Sequence, residues 1–529
     1  MNQGQRRRFD SYPGSMSSQL TVIVLAAGGG TRMKSKTMKV LHPIGGRSMI
    51  GHVLGAAHSM DPDRVVAVVG HQREQVSAHI QGLYPDIVLA VQDEQLGTGH
   101  AVRMAVEAAG DLTGTVIVAY GDTPLLEGGS LRAFAAEHEA AQRAVSILSG
   151  IVADPFGYGR VLRNDEGDVE AIVEEKDATP AQREVREINS GILAFDAEFL
   201  VGALPRIGND NAKGEYYLTD TIAIAREDGL TVGAHPIDDV MQTEGVNDRV
   251  QLARLGAELN RRIVDGWMRE GVTVMDPATT WIDADVVLAA DVTILPGTQL
   301  LGATKVDEDA VIGPDTTLKD CEIGTGARVV RTHAELAVVG GGANVGPYSY
   351  LRPGTKLGAG GKIGGFVETK NAVIGDGAKV PHLSYVGDAE IGEGTNIGAG
   401  TIFANYDGLK KHRTTIGKHA KTASNNTFVA PVEIGDGAAT GAGTVVREDV
   451  PPGALAVSAG PQRTIEGWAL AKRAGTPQAE AARAALDAQD GAGGDIPHGA
   501  ADAGVDRVGQ PGSRGAESSR HSPAATEEQ

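Results

Sequence analysis

The chain has a single cysteine, Cys321, in 529 residues. That excludes a disulfide framework and any CxxC metal or redox site. A lone thiol is either a nucleophile or a small buried hydrophobe. No histidine-rich context surrounds Cys321, so the second reading is taken. Aromatic residues make up only 4%. No apolar run approaches the roughly 18 residues of a membrane-crossing helix, so no span is expected. Positive charge is in deficit: 48 Lys and Arg against 68 Asp and Glu give a formal net charge of −20. This argues against nucleic acid or an anionic membrane surface as the main partner. Small anionic ligands need only local cations and stay open.

What is present is glycine, 72 residues, about twice the usual share of roughly 7%. Apolar content of 41% excludes a disordered chain, and no G-X-Y period exists, which excludes collagen. The length predicts roughly two to four domains. At the N-terminus, Arg6-Arg7-Arg8-Phe9 followed by the apolar run Leu20–Ala27 faintly suggests a twin-arginine signal. The run is short and passes directly into Gly28-Gly29-Gly30-Thr31-Arg32, a better ligand loop than a cleavage region. Residues 1–18 are therefore read as a disordered extension, with Met16 an alternative start and a cytoplasmic location expected.

Residues 19–245 alternate apolar, β-rich runs with helical patterns. Thr21–Ala26, Val65–Val69, Ile87–Val91, Thr115–Ala119 and Ala144–Ile151 read as buried strands; Met49–Ser59 and Gly99–Ala109 read as helices. Such alternation predicts an α/β domain, a mostly parallel sheet with ligands beyond the carboxyl ends of its strands. Over 246–272, Val250, Leu252, Leu255, Leu259 and Ile263 recur at helical spacing and predict one linking helix. From 273 to 474 the period becomes six: Val345, Leu351, Leu357 and Ile363 are six apart, and most such aliphatics precede glycine, as in Ile374-Gly375 and Ile391-Gly392. This is the hexapeptide pattern of a parallel β-helix, the aliphatic pointing into a narrow prism and glycine turning its corner. On this reading the prism has no room for aromatic rings, and 29 of the 72 glycines fall in residues 302–460. Residues 475–529 are Ala, Gly, Asp, Ser and Pro with little aliphatic periodicity, and are expected to be disordered.

The loop Leu25-Ala26-Ala27-Gly28-Gly29-Gly30-Thr31-Arg32-Met33 follows the first strand. Glycines let backbone N–H groups approach a phosphate, and Arg32 and Lys39 add charge for a polyphosphate. Alone it is compatible with a tight turn. It fits neither a P-loop nor a dinucleotide fingerprint. In the repeat region, Lys379–Ala389 interrupts the aliphatic pattern, and His382 is a candidate base for acyl transfer to an amine. A lone histidine reads equally as an ordinary coil residue; Arg352 and Lys370, charges suited to a sugar phosphate, change the balance.

With Lys39-Val40-Leu41-His42, Gln92-Asp93-Glu94-Gln95-Leu96-Gly97-Thr98-Gly99-His100-Ala101 and Tyr120-Gly121-Asp122-Thr123-Pro124-Leu125, the loop resembles the signature of sugar-nucleotide pyrophosphorylases. Joined to the hexapeptide half, Leu20 to Trp468 resembles the bacterial bifunctional family of N-acetylglucosamine-1-phosphate uridylyltransferase and glucosamine-1-phosphate acetyltransferase. The resemblance implies a Rossmann-like nucleotidyltransferase domain and a left-handed β-helix. It implies acetyl-CoA-dependent acetylation of glucosamine-1-phosphate, then transfer from UTP with loss of pyrophosphate, in a homotrimer that feeds cell-wall synthesis.

The implied roles fall on matching residues. Leu25, Ala26, Ala27, Gly28, Gln92, Gly97 and Thr98 would hold uridine; Arg32 and Lys39 the triphosphate; Asp122 and Asn247 Mg²⁺. Tyr120 and Gly121 accompany Asp122, and Gly159, Glu174 and Asn189 would line the sugar pocket. In the second half, Arg352, Lys370, Tyr385 and Asn396 would bind glucosamine-1-phosphate with His382 as base. Asn405, Tyr406, Ala399, Ser424 and Ala442 would line the acetyl-CoA groove. Other readings stand beside these: Asp122 as a turn cap, Glu174 within a solvated charge run, Asn247 as a helix N-cap.

Two positions depart from the family pattern. Met38 replaces a usual proline, which would loosen the loop around Lys39, and Ala459 stands where some relatives carry an arginine, its contact missing or replaced by Arg463 or Lys472. Two other functions share the architecture: a monofunctional pyrophosphorylase with a structural or regulatory β-helix, and a catalytically silent scaffold. Arg352, Lys370, His382, Asn405 and Tyr406 speak against the first; Lys39, Asp122 and Asn247 against the second.

Overall fold

The computed structural model describes residues 19–70, 73–211, 214–458, 460 and 462–491. The chain divides into two compact units, one ending at residue 459 and one starting at Gly460.

The first unit opens with a sheet whose central path, from edge to edge, is Val232–Ile237, Val145–Ile151, Glu187–Asp196, Thr115–Tyr120, Leu20–Leu25, Arg64–Val69 and Val88–Val91. All neighbours on this path are parallel except Glu187–Asp196, which runs against both of its partners. Continuous apolar strands such as Leu20–Leu25, whose Val22, Ile23 and Val24 are fully buried, suit a sheet covered on both faces. The five expected strands and both expected helices form, with ends shifted by a residue or two. Glu187–Asp196 escaped the pattern because Asn189, Ser190 and Gly191 interrupt its apolar run. There its pairing with Val145–Ile151 shifts register, and Gly191 takes φ 85°.

Leu25 registers with both Val68 and Tyr120, so the loops after these three central strands open on one edge of the sheet. The helix Arg249–Arg269 follows, capped by the Asp248 side chain on the Gln251 N–H at 2.9 Å. Buried Asn260 seats it on the next domain, donating to the Thr280 carbonyl at 2.8 Å and accepting from the Ile282 N–H at 2.9 Å.

From Thr273 the chain winds into a left-handed parallel β-helix of two- to seven-residue strands. Ile294, Ile312, Val329, Val345, Ile363 and Val380 stack in register as one inward column. Successive members lie 16 to 18 residues apart, so three hexapeptides make one coil. One step is longer: Ile391 pairs with Ile416 and Ile402 with Thr427, 25 residues on. The extra residues form a loop closed by a bridge between Tyr406 and Lys411.

Two expectations about the prism are corrected. Gly313 and Gly346 take φ 104° and 97°, as a turning glycine would, but after most of the aliphatics the glycine is a matter of clearance. A Cβ on Gly375 would lie 2.7 Å from the Glu393 nitrogen of the next coil, and the left-handed corner is Gly377, two residues later, at φ 64°. Aromatic rings do enter the prism. Phe403 and Phe428, both fully buried, pack edge to face at 5.1 Å in adjacent coils. In the neighbouring inward column, Ile397 is followed by Thr422 and Thr440 in the next two coils. Cys321 is buried, and burial pushes its thiol pKa up, as an inert thiol requires.

The second unit holds helices Trp468–Lys472 and Pro477–Gly491. The latter corrects the expectation of disorder from 475: it is rich in alanine, the best helix former, and opens with proline after Thr476, whose hydroxyl accepts from the Ala479 N–H. The expected extension 1–18 and the tail beyond 491 lie outside the described residues.

Candidate active sites

The glycine loop, the Gln92 turn and the Gly121 turn enclose a cavity of about 340 Å³ lined by Leu25, Ala26, Ala27, Gly28, Lys39, Gln92, Gly97, Thr98, Tyr120 and Asp122. A Cβ on Gly28 would meet nothing within 4 Å, so the backbone there is open to a ligand. Gln92 donates to the Gly97 carbonyl at 3.0 Å. Gly97 has φ 109°, and a Cβ on it would lie 2.6 Å from the Tyr216 carbonyl oxygen. Gly121 donates to the Leu25 carbonyl at 2.9 Å, drawing the two turns together.

At the floor, Lys39 and Asp122 form an ion pair. The Asp122 carbonyl accepts from the Val246 N–H at 2.9 Å, which brings the 245–247 segment alongside. Arg32 donates to Asn247 Oδ1 at 2.8 Å. The helix cap beside it is Asp248, so Asn247 does not serve as the N-cap. Met38 does not loosen this loop: it is buried and holds φ −58°, inside the range of a proline.

Gly159, Glu174 and Asn189 lie together on neighbouring strands, outside the lining of that cavity. Asn189 N–H donates to the Gly159 carbonyl at 2.8 Å, and a Cβ on Gly159 would lie 3.3 Å from Glu174 Oε1. Burial, with the charges of Asp122 and Glu174, pushes the Tyr120 pKa up to about 12, which keeps its hydroxyl protonated.

On the β-helix the expected residues separate into two groups at different corners. His382, Ala399, Ser424 and Ala442 occupy equivalent positions of successive coils. Gly400 donates to the His382 carbonyl, Asn425 to that of Ala399 and Gly443 to that of Ser424, at 3.2, 2.7 and 2.9 Å. The His382 ring is exposed and has no hydrogen-bond partner among the described residues.

Arg352 and Lys370 lie one coil apart at the far end of the intervening strands, with Tyr385 on the next rung. Arg352 pairs with Glu368 at 3.0 Å. Asn405 donates to Asp388 at 2.5 Å and reaches the Tyr385 hydroxyl at 3.5 Å. The Tyr406 hydroxyl donates to the Gly408 carbonyl at 2.6 Å within the long loop. Asn396 is exposed on another face, between Lys379 and Lys421.

Four contributors escaped the sequence reading. Gln95 donates to the Ala27 carbonyl at 2.6 Å, and Glu215 lines the first cavity from 120 residues away in the chain. Lys411 comes against Lys370 and lowers its pKa. Asp388, whose burial is outweighed by hydrogen bonds from Asn371 and Asn405 and by both lysines, is held below the usual carboxylate range. Gln95 and Asp388 stand inside segments that the sequence pattern marks, whereas Glu215 and Lys411 depend on loop closure.

Residues 22–179 match the family described as a MobA-like NTP transferase domain. Over nearly the whole described chain, the bifunctional protein GlmU of Kineococcus radiotolerans is 58% identical across 471 residues, 89% of this chain and 96% of that one. The chain belongs to the bifunctional GlmU family. The GlmU proteins of Pseudarthrobacter chlorophenolicus and Rhodococcus jostii are 57% and 58% identical, covering 88% and 89% of this chain and 95% and 96% of their own. As a GlmU-family enzyme it is bifunctional, with nucleotidyltransferase and acetyltransferase activities of UDP-N-acetylglucosamine synthesis. Nothing favours a monofunctional pyrophosphorylase. The position of the GlmU relatives' arginine, Ala459, lies outside the described residues, while Arg463 and Lys472 belong to the second unit.

Proposed function

We propose that the cavity over Lys39 and Asp122 performs uridylyl transfer and that the two β-helix corners perform acetyl transfer, each with the residues named above. The observation that carries the first assignment is the meeting of Arg32, Lys39, Asp122 and Asn247 beneath an open glycine backbone. Leu25–Gly28, Gln92, Gly97 and Thr98 hold the uracil and ribose. Arg32 and Lys39 take the triphosphate charge, and Gly159, Glu174 and Asn189, with Tyr120 and Gly121, orient N-acetylglucosamine-1-phosphate. Its phosphate oxygen attacks the α-phosphorus of UTP, that P–O bond forms, and the bond to the β-phosphate oxygen breaks to release pyrophosphate. Positioning and charge neutralisation do most of this work.

Asp122 and Asn247 offer one carboxylate and one amide oxygen on adjoining segments, a hard-oxygen pair that suits Mg²⁺ completed by water and phosphate oxygens. Among the described residues no group of three or more His, Cys, Asp or Glu is placed to hold a metal, consistent with so sparse a protein share. When bound, Mg²⁺ would supply charge neutralisation at the phosphates. With Asp122 so engaged, Lys39 would be free to hold the triphosphate.

For acetyl transfer, His382 takes the proton from the glucosamine amine as it attacks the thioester carbonyl of acetyl-CoA; the amide C–N bond forms and the C–S bond breaks, leaving coenzyme A. Arg352, Lys370 and Lys411 hold the sugar phosphate, with Tyr385, Asn396 and Asn405 on the sugar. Tyr406 and the small column Ala399, Ser424 and Ala442 leave a shallow groove for coenzyme A. Because one strand ladder lies between the His382 corner and the Lys370 corner, the complete site calls for neighbouring copies. The exposed Tyr348, Phe366 and Leu383 beside His382 offer the contact, which supports a homotrimer. No helix of the described residues is long and apolar enough to cross a membrane. The proposed substrates UTP and acetyl-CoA support a cytoplasmic location.

The test supplies glucosamine-1-phosphate, acetyl-CoA, UTP and Mg²⁺ to the purified chain and reads free thiol and pyrophosphate separately. Both are expected in the order thiol, then pyrophosphate. Either product alone refutes the paired assignment, and a monomer in sizing columns that still releases thiol refutes the shared site.

A further inference from the structure

Gly159, Glu174 and Asn189 belong to three neighbouring strands. Gly159 precedes Arg160–Arg163, Glu174 follows Val169–Val173, and Asn189 lies in Glu187–Asp196. Arg160 is the rung common to all three, in register with Val173 on one side and Ile188 on the other. Its side chain is only 2% exposed. The guanidinium donates to Glu175 at 2.6 Å and also to the Tyr158 carbonyl. Glu175 in turn accepts from the Gly157 N–H at 3.3 Å and faces Arg183 at 3.7 Å. One carboxylate thus ties the loop before Gly159 to the residue after Glu174. Of the two adjacent carboxylates, Glu175 is committed to Arg160, whereas Glu174 has no hydrogen-bond or ion-pair partner among the described residues.

We propose that the Arg160–Glu175 pair is a positioning device for the sugar-phosphate substrate of uridylyl transfer. This rests on reading Gly159, Glu174 and Asn189 as the sugar contacts. A buried guanidinium deprived of its carboxylate is left with an uncompensated charge and must shift, carrying Tyr158 and Gly159 with it. The uridine side of the cavity is built from other strands and does not move. Substrate affinity for the sugar phosphate changes, therefore, while that for UTP does not.

The experiment measures KM for N-acetylglucosamine-1-phosphate and for UTP separately in the full chain, with acetyl transfer on the same preparation as the folding check. Glu175→Gln is expected to raise the sugar-phosphate KM about tenfold with kcat and the UTP KM within about twofold. Arg160→Gln combined with Glu175→Gln replaces the ion pair by two neutral amides and is expected to lie closer to wild type than Glu175→Gln alone. If Glu175→Gln does not fold, the double variant decides by the same split, still showing a raised sugar-phosphate KM. An unchanged sugar-phosphate KM, or an equal rise in both KM values, overturns the proposal. Glu174→Gln separates the two layers: if it raises the sugar-phosphate KM and Glu175→Gln does not, the pocket reading stands and the positioning role falls. If neither does, both fall.

Discussion

Arg32 donates a 2.8 Å hydrogen bond to Asn247 across 215 positions of sequence. It joins the turn that ends the glycine loop to the segment entering the linker helix, where the Val246 N–H meets the Asp122 carbonyl. Asn247→Ala removes both the acceptor that aims Arg32 and one oxygen offered to Mg²⁺. Pyrophosphate release is expected to fall roughly 10²-fold in kcat/KM, while thiol release stays within about twofold. Loss of both activities would show that the two halves are coupled.

Gly97 has no room for a side chain, since its φ is 109° and a Cβ would press 2.6 Å from the Tyr216 carbonyl. Gly97→Ala forces the turn away from Gln92, its hydrogen-bond partner at 3.0 Å. The expected outcome is a KM for UTP raised about tenfold with the sugar-phosphate KM nearly unchanged. Steady-state kinetics with each substrate varied checks it.

His382 stands at the head of a column of small residues with an exposed ring. His382→Ala is expected to abolish thiol release and leave uridylyl transfer on N-acetylglucosamine-1-phosphate near normal. A matching loss of pyrophosphate release would contradict the separation of the sites.

Phe428 is fully buried and meets Phe403 edge to face at 5.1 Å. Phe428→Ala opens a cavity in a prism held by short strands and is expected to cost about 3–5 kcal/mol, read from denaturant unfolding. A cost under ~1 kcal/mol would mean that the coil collapses around the gap.

Glu258 on the linker helix has its pKa lowered from 4.5 to about 2, chiefly by hydrogen bonds from Arg261, against a smaller opposing effect of burial and with help from Arg262. A carboxylate whose pKa is lowered in the folded chain stabilises it fully above the unfolded value of 4.5, and loses that contribution as pH falls toward 2. Glu258→Gln is expected to flatten the acid limb of stability over that window and to leave stability near pH 2 unchanged. Thermal melts across the acid range measure it.

Much of the site was legible because its residues sit in compact motifs on strand ends. Local chemistry, glycines before Arg32 and Lys39, already names a phosphate loop. Glu215 and Lys411 were not legible. Each reaches its site only when a distant loop folds back, and neither stands in a pattern that differs from an ordinary surface charge. Glu174 and Glu175 make the same point at closest range, since side by side in the sequence they read as one charge run. The buried Arg160 takes only the second.

By itself the amino-acid order determined the architecture. A period of six with aliphatic and glycine in fixed places has one economical solution, a prism, and alternating strands and helices have few others than a covered parallel sheet. Tertiary structure alone decided which functional groups meet. Register set His382, Ala399, Ser424 and Ala442 in one column and kept them a strand ladder away from Lys370. Steric clearance between coils, more than backbone angle, required glycine at positions such as 375. Edge-to-face packing of Phe403 on Phe428 in adjacent coils put two rings inside the prism. These are outcomes of packing between distant segments, to which a local pattern carries no information.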